Sequence, residues 1–196
     1  MGQPYVVYGR QTRGFRDDDV TRWQQSTKGR ERMAEYWDLY DGAGQLTGKK
    51  HLRGTAVPEG MFHKVVHIWI QNSKGELLMQ KRSDKVDNCP GEWATTGGSV
   101  QAGEEPFVTA VRELSEELGL TVSAEELQYC LMVRRKNAFC YVYLLRKDIP
   151  AESLALQECE VAAAEWMTKE KIDGMVAERT MHRYVYREML STYLEM

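Results

Sequence analysis

Three glutamates lie close together in the middle of the chain, at Glu113, Glu116 and Glu117. Their spacing of i, i+3 and i+4 would place them on one face of a helix, with neighbouring Cβ atoms roughly 5–6 Å apart. No basic residue lies between them to neutralise the cluster. Because like charges held this close repel one another, the pattern favours a bound cation, and Mg²⁺ or Mn²⁺ prefers all-oxygen ligands. The three carboxylates therefore predict a divalent-metal site.

The helix that would carry these carboxylates is predicted to begin near Pro106 and to stop at Gly119. Proline fits the first turn, where its missing N–H costs nothing, and glycine is a typical C-terminal stop. The apolar positions recur at helical spacing; they are Phe107, Ala110, Val111, Leu114 and Leu118. At ~100° per residue, the carboxylates are centred about 120° from this apolar stripe. We therefore expect the stripe to face the core and the carboxylates to lie clear of it.

The segment around this helix follows a longer pattern. Gly98 is followed after five residues by Glu104 and, seven residues later, by Arg112-Glu113-Leu114-Ser115-Glu116-Glu117-Leu118-Gly119-Leu120. At every defined position it resembles the Nudix box, Gly-x5-Glu-x7-Arg-Glu-U-x-Glu-Glu-x-Gly-U, in which U is apolar. By this pattern the chain is identified as a member of the Nudix hydrolases. The resemblance implies an α/β fold, a Nudix-type α/β/α sandwich with a mixed β-sheet.

The resemblance also implies a reaction, the hydrolysis of a diphosphate linked to another group, commonly a nucleoside diphosphate derivative. A diphosphate repels an incoming nucleophile, and metal ions neutralise its charge, orient an attacking water and lower the pKa of that water. Carried over by position, the metal ligands would be Glu113, Glu116, Glu117 and the backbone carbonyl of Gly97. Catalytic roles would fall on Glu113, Glu116 and Glu160. Glu113 is an alternative general base, since that role varies within the family.

Glu160 stands just before the last predicted strand, where many Nudix proteins place an extra catalytic or metal-binding glutamate. Glu160 is preferred over Glu158 for this role, and a solvated loop glutamate is the alternative interpretation. Arg112 and Glu104 correspond to a pair that commonly orients the box, so we expect them to be structural.

Basic and aromatic residues outside the box are candidates for substrate binding. His63, Arg82 and Lys85 would suit a phosphate, with ordinary surface positions as the alternative. Trp37, Trp69 and Trp93 could stack on a base, although aromatic residues in strands usually pack in the core. His67 alternates with core residues and is predicted to be a packed or sheet-facing histidine rather than a ligand.

A narrower resemblance covers roughly residues 36 to 120. The motifs that carry it are Asp38-Leu39-Tyr40-Asp41, Gly44, Gly48, His63-Lys64, Lys81-Arg82-Ser83-Asp84-Lys85 and Pro90-Gly91-Glu92-Trp93. They look like the type 1 isopentenyl-diphosphate isomerase branch of the Nudix superfamily. That isomerase requires a cysteine where this chain has Gly98 and a metal-binding histidine where it has Val100. The isomerase is therefore disfavoured against an isomerase-like hydrolase, and an intact box disfavours a non-catalytic ligand sensor.

Composition limits the other function classes. The chain has 196 residues and a formal net charge of −3, which argues against binding to a nucleic acid backbone. It has no apolar run of membrane-spanning length and no signal-peptide core at its N-terminus. Its scattered cysteines, Cys89, Cys130, Cys140 and Cys159, are interpreted as reduced, packing thiols. We therefore expect a cytoplasmic enzyme that acts on a small-molecule diphosphate, without a membrane or nucleic acid partner.

Two regions are predicted along the chain. Residues 1–33 form an N-terminal extension, an arm or flexible segment that could also join two copies in a homodimer, and residues 34–196 form the Nudix hydrolase domain. Strands are predicted at Tyr36–Tyr40, at Lys64–Ile70, through Leu78 and Met79, up to Gly97, and at Leu127–Val133, Phe139–Leu145 and Val161–Met167. The second and third of these read as a hairpin around a turn at 72–75. A final helix is suggested by Tyr186, Met189, Leu190 and Tyr193.

Overall fold

The computed structural model describes residues 7–8 and 34–194. In chain order its strands are β1 (Val7–Tyr8), β2 (Tyr36–Tyr40), β3 (Leu46–Leu52), β4 (His63–Gln71), β5 (Leu77–Arg82), β6 (Trp93–Ala94), β7 (Thr96–Ser99), β8 (Leu127–Arg134), β9 (Ala138–Arg146) and β10 (Val161–Met167). The helices are α1 (Pro106–Leu118), α2 (Lys169–Ala177) and α3 (Arg187–Leu190), with a 3₁₀ turn at Ala151–Ser153. The predicted extension, residues 1–33, lies outside the described residues except for β1.

The main sheet has the order β1-β8-β9-β4-β5-β10, with β6 paired to β5 and β7 paired to β4. Strands β4 and β9 are parallel, and the other pairs in this sheet are antiparallel. The sheet is therefore mixed, as predicted. A separate two-stranded sheet is formed by β2 and β3; β2 was predicted at these residues, whereas β3 was not.

The two larger of the three core clusters lie on opposite faces of the main sheet, because side chains alternate along its central strands. On β4, Val66 and Ile68 pack with α1 residues such as Leu114, whereas Trp69 packs with Ile172 of α2 on the opposite face. Successive side chains of a strand point to opposite faces, so one central strand serves both clusters. The predicted α/β/α sandwich is confirmed. In the described part of the chain, no helix is long and apolar enough to cross a membrane.

The predicted hairpin of β4 and β5 pairs at its turn end, through Gln71 and Leu77. Farther from the turn, β7 pairs with β4 and β6 pairs with β5, so these two short strands separate the arms of the hairpin. The sequence signals for the turn were correct, but they carry no information about a later segment inserted between the arms. This insertion brings Gly97 and Gly98 into the middle of the fold.

The C-terminal helix is shorter than predicted. Helix α3 covers Arg187–Leu190, whereas the apolar spacing suggested a helix from Tyr186 to Tyr193. Tyr186 and Tyr193, which contributed to the predicted helical spacing, make hydrogen bonds to other parts of the fold. The Tyr186 hydroxyl lies 2.5 Å from His67 Nδ1, and the Tyr193 hydroxyl donates to the carbonyl of Cys130 at 2.8 Å.

Helix α2, which was not predicted, begins after Thr168, whose side chain accepts a hydrogen bond from the backbone N–H of Lys171.

The β2–β3 hairpin is fastened to the loop that leads into α1. The backbone N–H of Gly103 donates to Asp38 Oδ2 at 2.7 Å, and that of Ala102 donates to the carbonyl of Tyr36 at 2.7 Å. Helix α1 begins at Pro106 and ends at Gly119, which takes the left-handed conformation at φ 69°, as the sequence predicted. Both ends of the carboxylate-bearing helix are thus fixed in position.

Candidate metal and substrate site

The acidic face of α1 is largely buried. Glu117 keeps 3% of its surface exposed and Glu113 keeps 9%, whereas Glu116 is exposed. This corrects the expectation that the carboxylates lie clear of the core. Strand β7, the Gln80 side chain of β5 and the loop before β10 cover that face, because the sheet extends farther around the helix than the apolar stripe indicates.

Arg112 lies among these carboxylates and corrects the expectation of a cluster without a neighbouring cation. Its Nη1 is 2.9 Å from both Glu113 Oε1 and Glu116 Oε2, and its Nε is 3.2 Å from Glu104 Oε1. Glu104 also accepts a hydrogen bond from the Thr109 hydroxyl at 2.6 Å. The guanidinium therefore links the loop before α1 to the helix and orients two of the three glutamates.

Glu117 belongs to a buried chain of polar side chains. Gln80 Nε2 donates to Glu117 Oε2 at 2.9 Å, and the Thr96 hydroxyl donates to Gln80 Oε1 at 3.0 Å. Burial, followed by the charge of Glu113, raises the pKa of Glu117 well above its usual range. Burial also raises the pKa of Glu113, which Arg112 opposes. Two carboxylates are thus held out of water with too little positive charge to match them.

The adjacent glycines of β7 allow the strand to approach β4 and α1 closely. A Cβ on Gly97 would lie 2.4 Å from the carbonyl oxygen of Val66, and one on Gly98 would lie 2.0 Å from Glu113 Oε1. The Glu113 carboxylate therefore occupies the space that a side chain at position 98 would need. A cysteine there, which the isomerase reaction requires, has no room beside Glu113.

Glu160 reaches the carboxylates from a loop that is hydrogen-bonded to the end of α1. The backbone N–H of Ala155 donates to the carbonyl of Leu118 at 3.1 Å, and that of Gln157 donates to the carbonyl of Glu117 at 3.1 Å. Glu160 is half-buried, and its charge contributes to the raised pKa values of Glu113 and Glu117. A fourth carboxylate, distant in the sequence, thus faces the same volume.

A cleft of about 340 Å³ opens onto these groups. Of the sequence-predicted residues, it is lined by Gly97, Arg82, Arg112, Glu113, Glu116, Glu117 and Glu160. Two further arginines, Arg53 and Arg135, also line it and were not predicted. Arg53, paired with Glu35, interacts electrostatically with Glu113 and Glu160. The cleft therefore combines a carboxylate wall with arginines contributed by four separate segments.

His67 is packed against Tyr184 and Tyr186, as the strand pattern predicted, and its ring also lines the cleft. The Trp69 indole N–H donates to the Tyr186 hydroxyl at 3.3 Å, and that hydroxyl lies 2.5 Å from His67 Nδ1. Burial lowers the pKa of His67 to about 3, which favours the neutral ring.

His63 and Lys85 do not belong to the side chains that line the cleft in the described part of the chain. His63 is buried and stacks on Trp37, with ring centroids 4.0 Å apart, while Lys85 is exposed on the loop after β5. Of the three predicted phosphate contacts, the structure brings Arg82 to the carboxylates. The Arg82 Nε–H donates to the carbonyl of Asn88 at 2.8 Å, which holds the side chain in place.

The buried His63 gives the protein a testable pH dependence. Burial lowers its pKa to about 4, whereas an unfolded chain titrates near pH 6.5. Between these values the unfolded state binds more protons, so the folded state loses stability as the pH falls. From about pH 7.5 to about pH 5 we expect this group to cost about 2 kcal/mol. Urea unfolding of wild type and His63→Phe at both pH values measures it, and equal losses in the two proteins would contradict the assignment.

Comparisons with known proteins identify the family. The family model of the NUDIX domain matches residues 61–192. An uncharacterized Nudix hydrolase of Listeria monocytogenes is 35% identical over 142 residues, which cover 72% of this chain and 84% of the relative. Nudix hydrolase 3 of Arabidopsis thaliana is 34% identical over 151 residues, which cover 70% of this chain and 20% of the plant protein.

Solved structures support the fold. The crystal structure of DR0079 from Deinococcus radiodurans has a TM-score of 0.68 at 23% identity, and the match covers 81% of this chain and 98% of that one. The MutT protein of Methanosarcina mazei has a TM-score of 0.53 at 23% identity, covering 70% of this chain and 96% of that one. The family match spans the carboxylate helix, the glycine pair and Glu160 alike. The chain therefore belongs to the Nudix hydrolase family.

Proposed function

We propose that the protein is a Mg²⁺-dependent or Mn²⁺-dependent hydrolase that cleaves the diphosphate linkage of a nucleoside diphosphate derivative or a related organic diphosphate. One observation carries the proposal. The carboxylates of Glu113, Glu117 and Glu160 converge from two elements on one cleft, and arginines line that same cleft. This arrangement suits a substrate whose phosphates lie between bound cations and guanidinium groups.

The donor set fits a hard divalent cation. Glu113 and Glu117 are carboxylates held out of water, and the lack of a side chain at Gly98 leaves room for the Glu113 carboxylate. We propose that Glu113, Glu116, Glu117 and the carbonyl of Gly97 hold the metal. Bound Mg²⁺ would neutralise phosphate charge and lower the pKa of the attacking water.

The protein side chains then have distinct tasks. As the water oxygen bonds to one phosphorus, the bond from that phosphorus to the bridging oxygen breaks, and the proton of the water needs an acceptor. We assign that acceptor to Glu160, which approaches from a loop and is not engaged by Arg112. Arg53, Arg82 and Arg135 would bind the phosphate oxygens, since guanidinium groups match them bidentately.

The organic part of the substrate would lie beside Trp37. This ring lines the cleft and is held by its stacking on His63, so it offers a fixed aromatic wall for a base. Location in the cytoplasm and assembly as a homodimer remain predictions from the sequence.

The test is release of phosphate or nucleoside monophosphate from a panel of nucleotide and non-nucleotide diphosphates, with Mg²⁺, with Mn²⁺ and with chelator. We expect metal-dependent release from one class of compound. Ligand binding without release from any compound would instead identify a sensor, and interconversion of allylic diphosphates without release would identify an isomerase.

A matched pair of variants tests the proton acceptor. Glu160→Gln should lower kcat by roughly 10²–10⁴-fold, the range for removal of a general base, with little change in KM. Glu158→Gln makes the same change in charge at an exposed position two residues away and should behave as wild type. If both variants had the same kcat, the proton acceptor would have to be another carboxylate.

A further inference from the structure

A second group of side chains that can bind metal lies at the edge of the cleft, separate from the glutamates of α1. It consists of Cys89, Glu92 and His182, which we name the cysteine cluster. One donor atom from each, the thiol sulfur, a carboxylate oxygen and a ring nitrogen, lies within 4.8 Å of the other two. Glu92 Oε2 and His182 Nδ1 are 3.8 Å apart. Cys89, predicted from the sequence to be a packing thiol, is only half-buried, whereas Cys130 and Cys140 are buried.

Backbone hydrogen bonds fix the two segments that supply these side chains. The N–H of His182 donates to the carbonyl of Trp93 at 2.9 Å, and the N–H of Trp93 donates to the carbonyl of Thr180 at 3.1 Å. On the other segment, the N–H of Arg82 donates to the carbonyl of Glu92 at 2.9 Å. The segments that carry Glu92 and His182 are therefore held in place by backbone hydrogen bonds.

The backbone of Cys89 is unusual. Its φ is 49°, a left-handed conformation that residues other than glycine rarely adopt. Such conformations persist where the surrounding structure enforces them, and they often occur at functional sites. Here that conformation accompanies a thiol placed beside a histidine and a carboxylate.

We propose that the cysteine cluster binds Zn²⁺ or a similar divalent transition metal, through Cys89, Glu92 and His182. Zinc takes sulfur, nitrogen and oxygen donors in tetrahedral sites, with donor atoms about 3.3–3.6 Å apart. The observed separations need only small side-chain adjustments to reach this geometry. A thiolate ligand favours zinc over magnesium, so the site differs in chemistry from the carboxylate site.

Charge around the cluster is compatible with a divalent ion. Arg82 and Arg135 act electrostatically on both Cys89 and His182. A thiolate and a carboxylate together supply two negative charges, so the cluster with Zn²⁺ bound would be neutral overall beside these arginines. Three protein ligands leave a fourth position, as in open zinc sites. Cys89 and His182 both line the cleft, so the metal would border the volume that holds the substrate.

The test is a cobalt titration of the full-length, metal-free protein under reducing conditions with excess Mg²⁺. Cobalt bound to a thiolate gives a near-ultraviolet charge-transfer band, whereas cobalt on carboxylates does not. We expect a band that saturates at one equivalent and that Zn²⁺ removes. The excess Mg²⁺ occupies the glutamates, so the readout is independent of hydrolysis.

Variants assign the band to the cluster. Cys89→Ser should abolish it, and His182→Ala should weaken cobalt binding by at least about tenfold. Cys159→Ser, which removes an exposed thiol elsewhere, should retain it. An unfolding curve for each variant verifies that it is folded. The proposal is overturned if wild type gives no band up to millimolar cobalt, if Cys89→Ser keeps the band, or if Cys159→Ser loses it.

Discussion

A Glu117→Gln variant is expected to lose metal-dependent hydrolysis by about 10³-fold or more while becoming more stable in the absence of metal. The activity loss follows from removal of a proposed ligand, because catalysis of this type depends chiefly on fixed charge around the phosphates. The gain in stability follows from burial of Glu117 beside Glu113, two carboxylates that repel each other out of water. The amide keeps an oxygen that can accept from Gln80.

Thermal unfolding with chelator and with Mg²⁺ measures both effects. With chelator, we expect the variant to gain about 1–2 kcal/mol, the range common when strain at a functional site is relieved. With Mg²⁺, wild type should rise in Tm through binding to the folded state, and the variant should rise less. Glu125→Gln is the control, since it removes the same charge from an exposed position. A variant that is less stable than wild type with chelator, and responds equally to Mg²⁺, would contradict the assignment of Glu117.

A Gly98→Ala variant is expected to lose activity by at least about 10²-fold, the effect typical of displacing one catalytic charge. Its Cβ would lie 2.0 Å from Glu113 Oε1, so either the carboxylate or β7 must move. Because Arg112 holds Glu113 and β4 holds Gly97, neither can move freely. We expect a loss of stability of about 1–3 kcal/mol, as for overpacking in a core.

Gly174→Ala is the matched control for this substitution. Gly174 lies inside α2, and a Cβ there would meet nothing within 4 Å. Alanine is favoured over glycine in a helix interior by about 0.5–1 kcal/mol, so this variant should be more stable and fully active. Assays of hydrolysis and of urea unfolding on both variants check the pair. Wild-type activity in Gly98→Ala would show that the close contact with Glu113 is not required.

Local patterns predicted most of the elements. Helix α1 follows from spacings of three and four residues, a proline at its start and Gly119 at its end, all of which act within a turn or two of the chain. Strands such as β10 follow in the same way from short runs of apolar residues. Such signals do not extend to pairing between distant segments, which is why the hairpin of β4 and β5 was predicted without the strands inserted between its arms.

The same limit on local patterns applies to the site. Local sequence patterns were enough to identify the Nudix box, the carboxylates of α1 and the pair of Arg112 with Glu104, because these residues share one helix and the turn before it. The tertiary structure, by contrast, shows that Glu113 and Glu117 are buried and that Arg53 and Arg135 line the same cleft. It also decided that Cys89 meets His182, 93 residues later in the chain. The physical reason is that long-range strand pairing sets these proximities, and short-range periodicity carries no information about it.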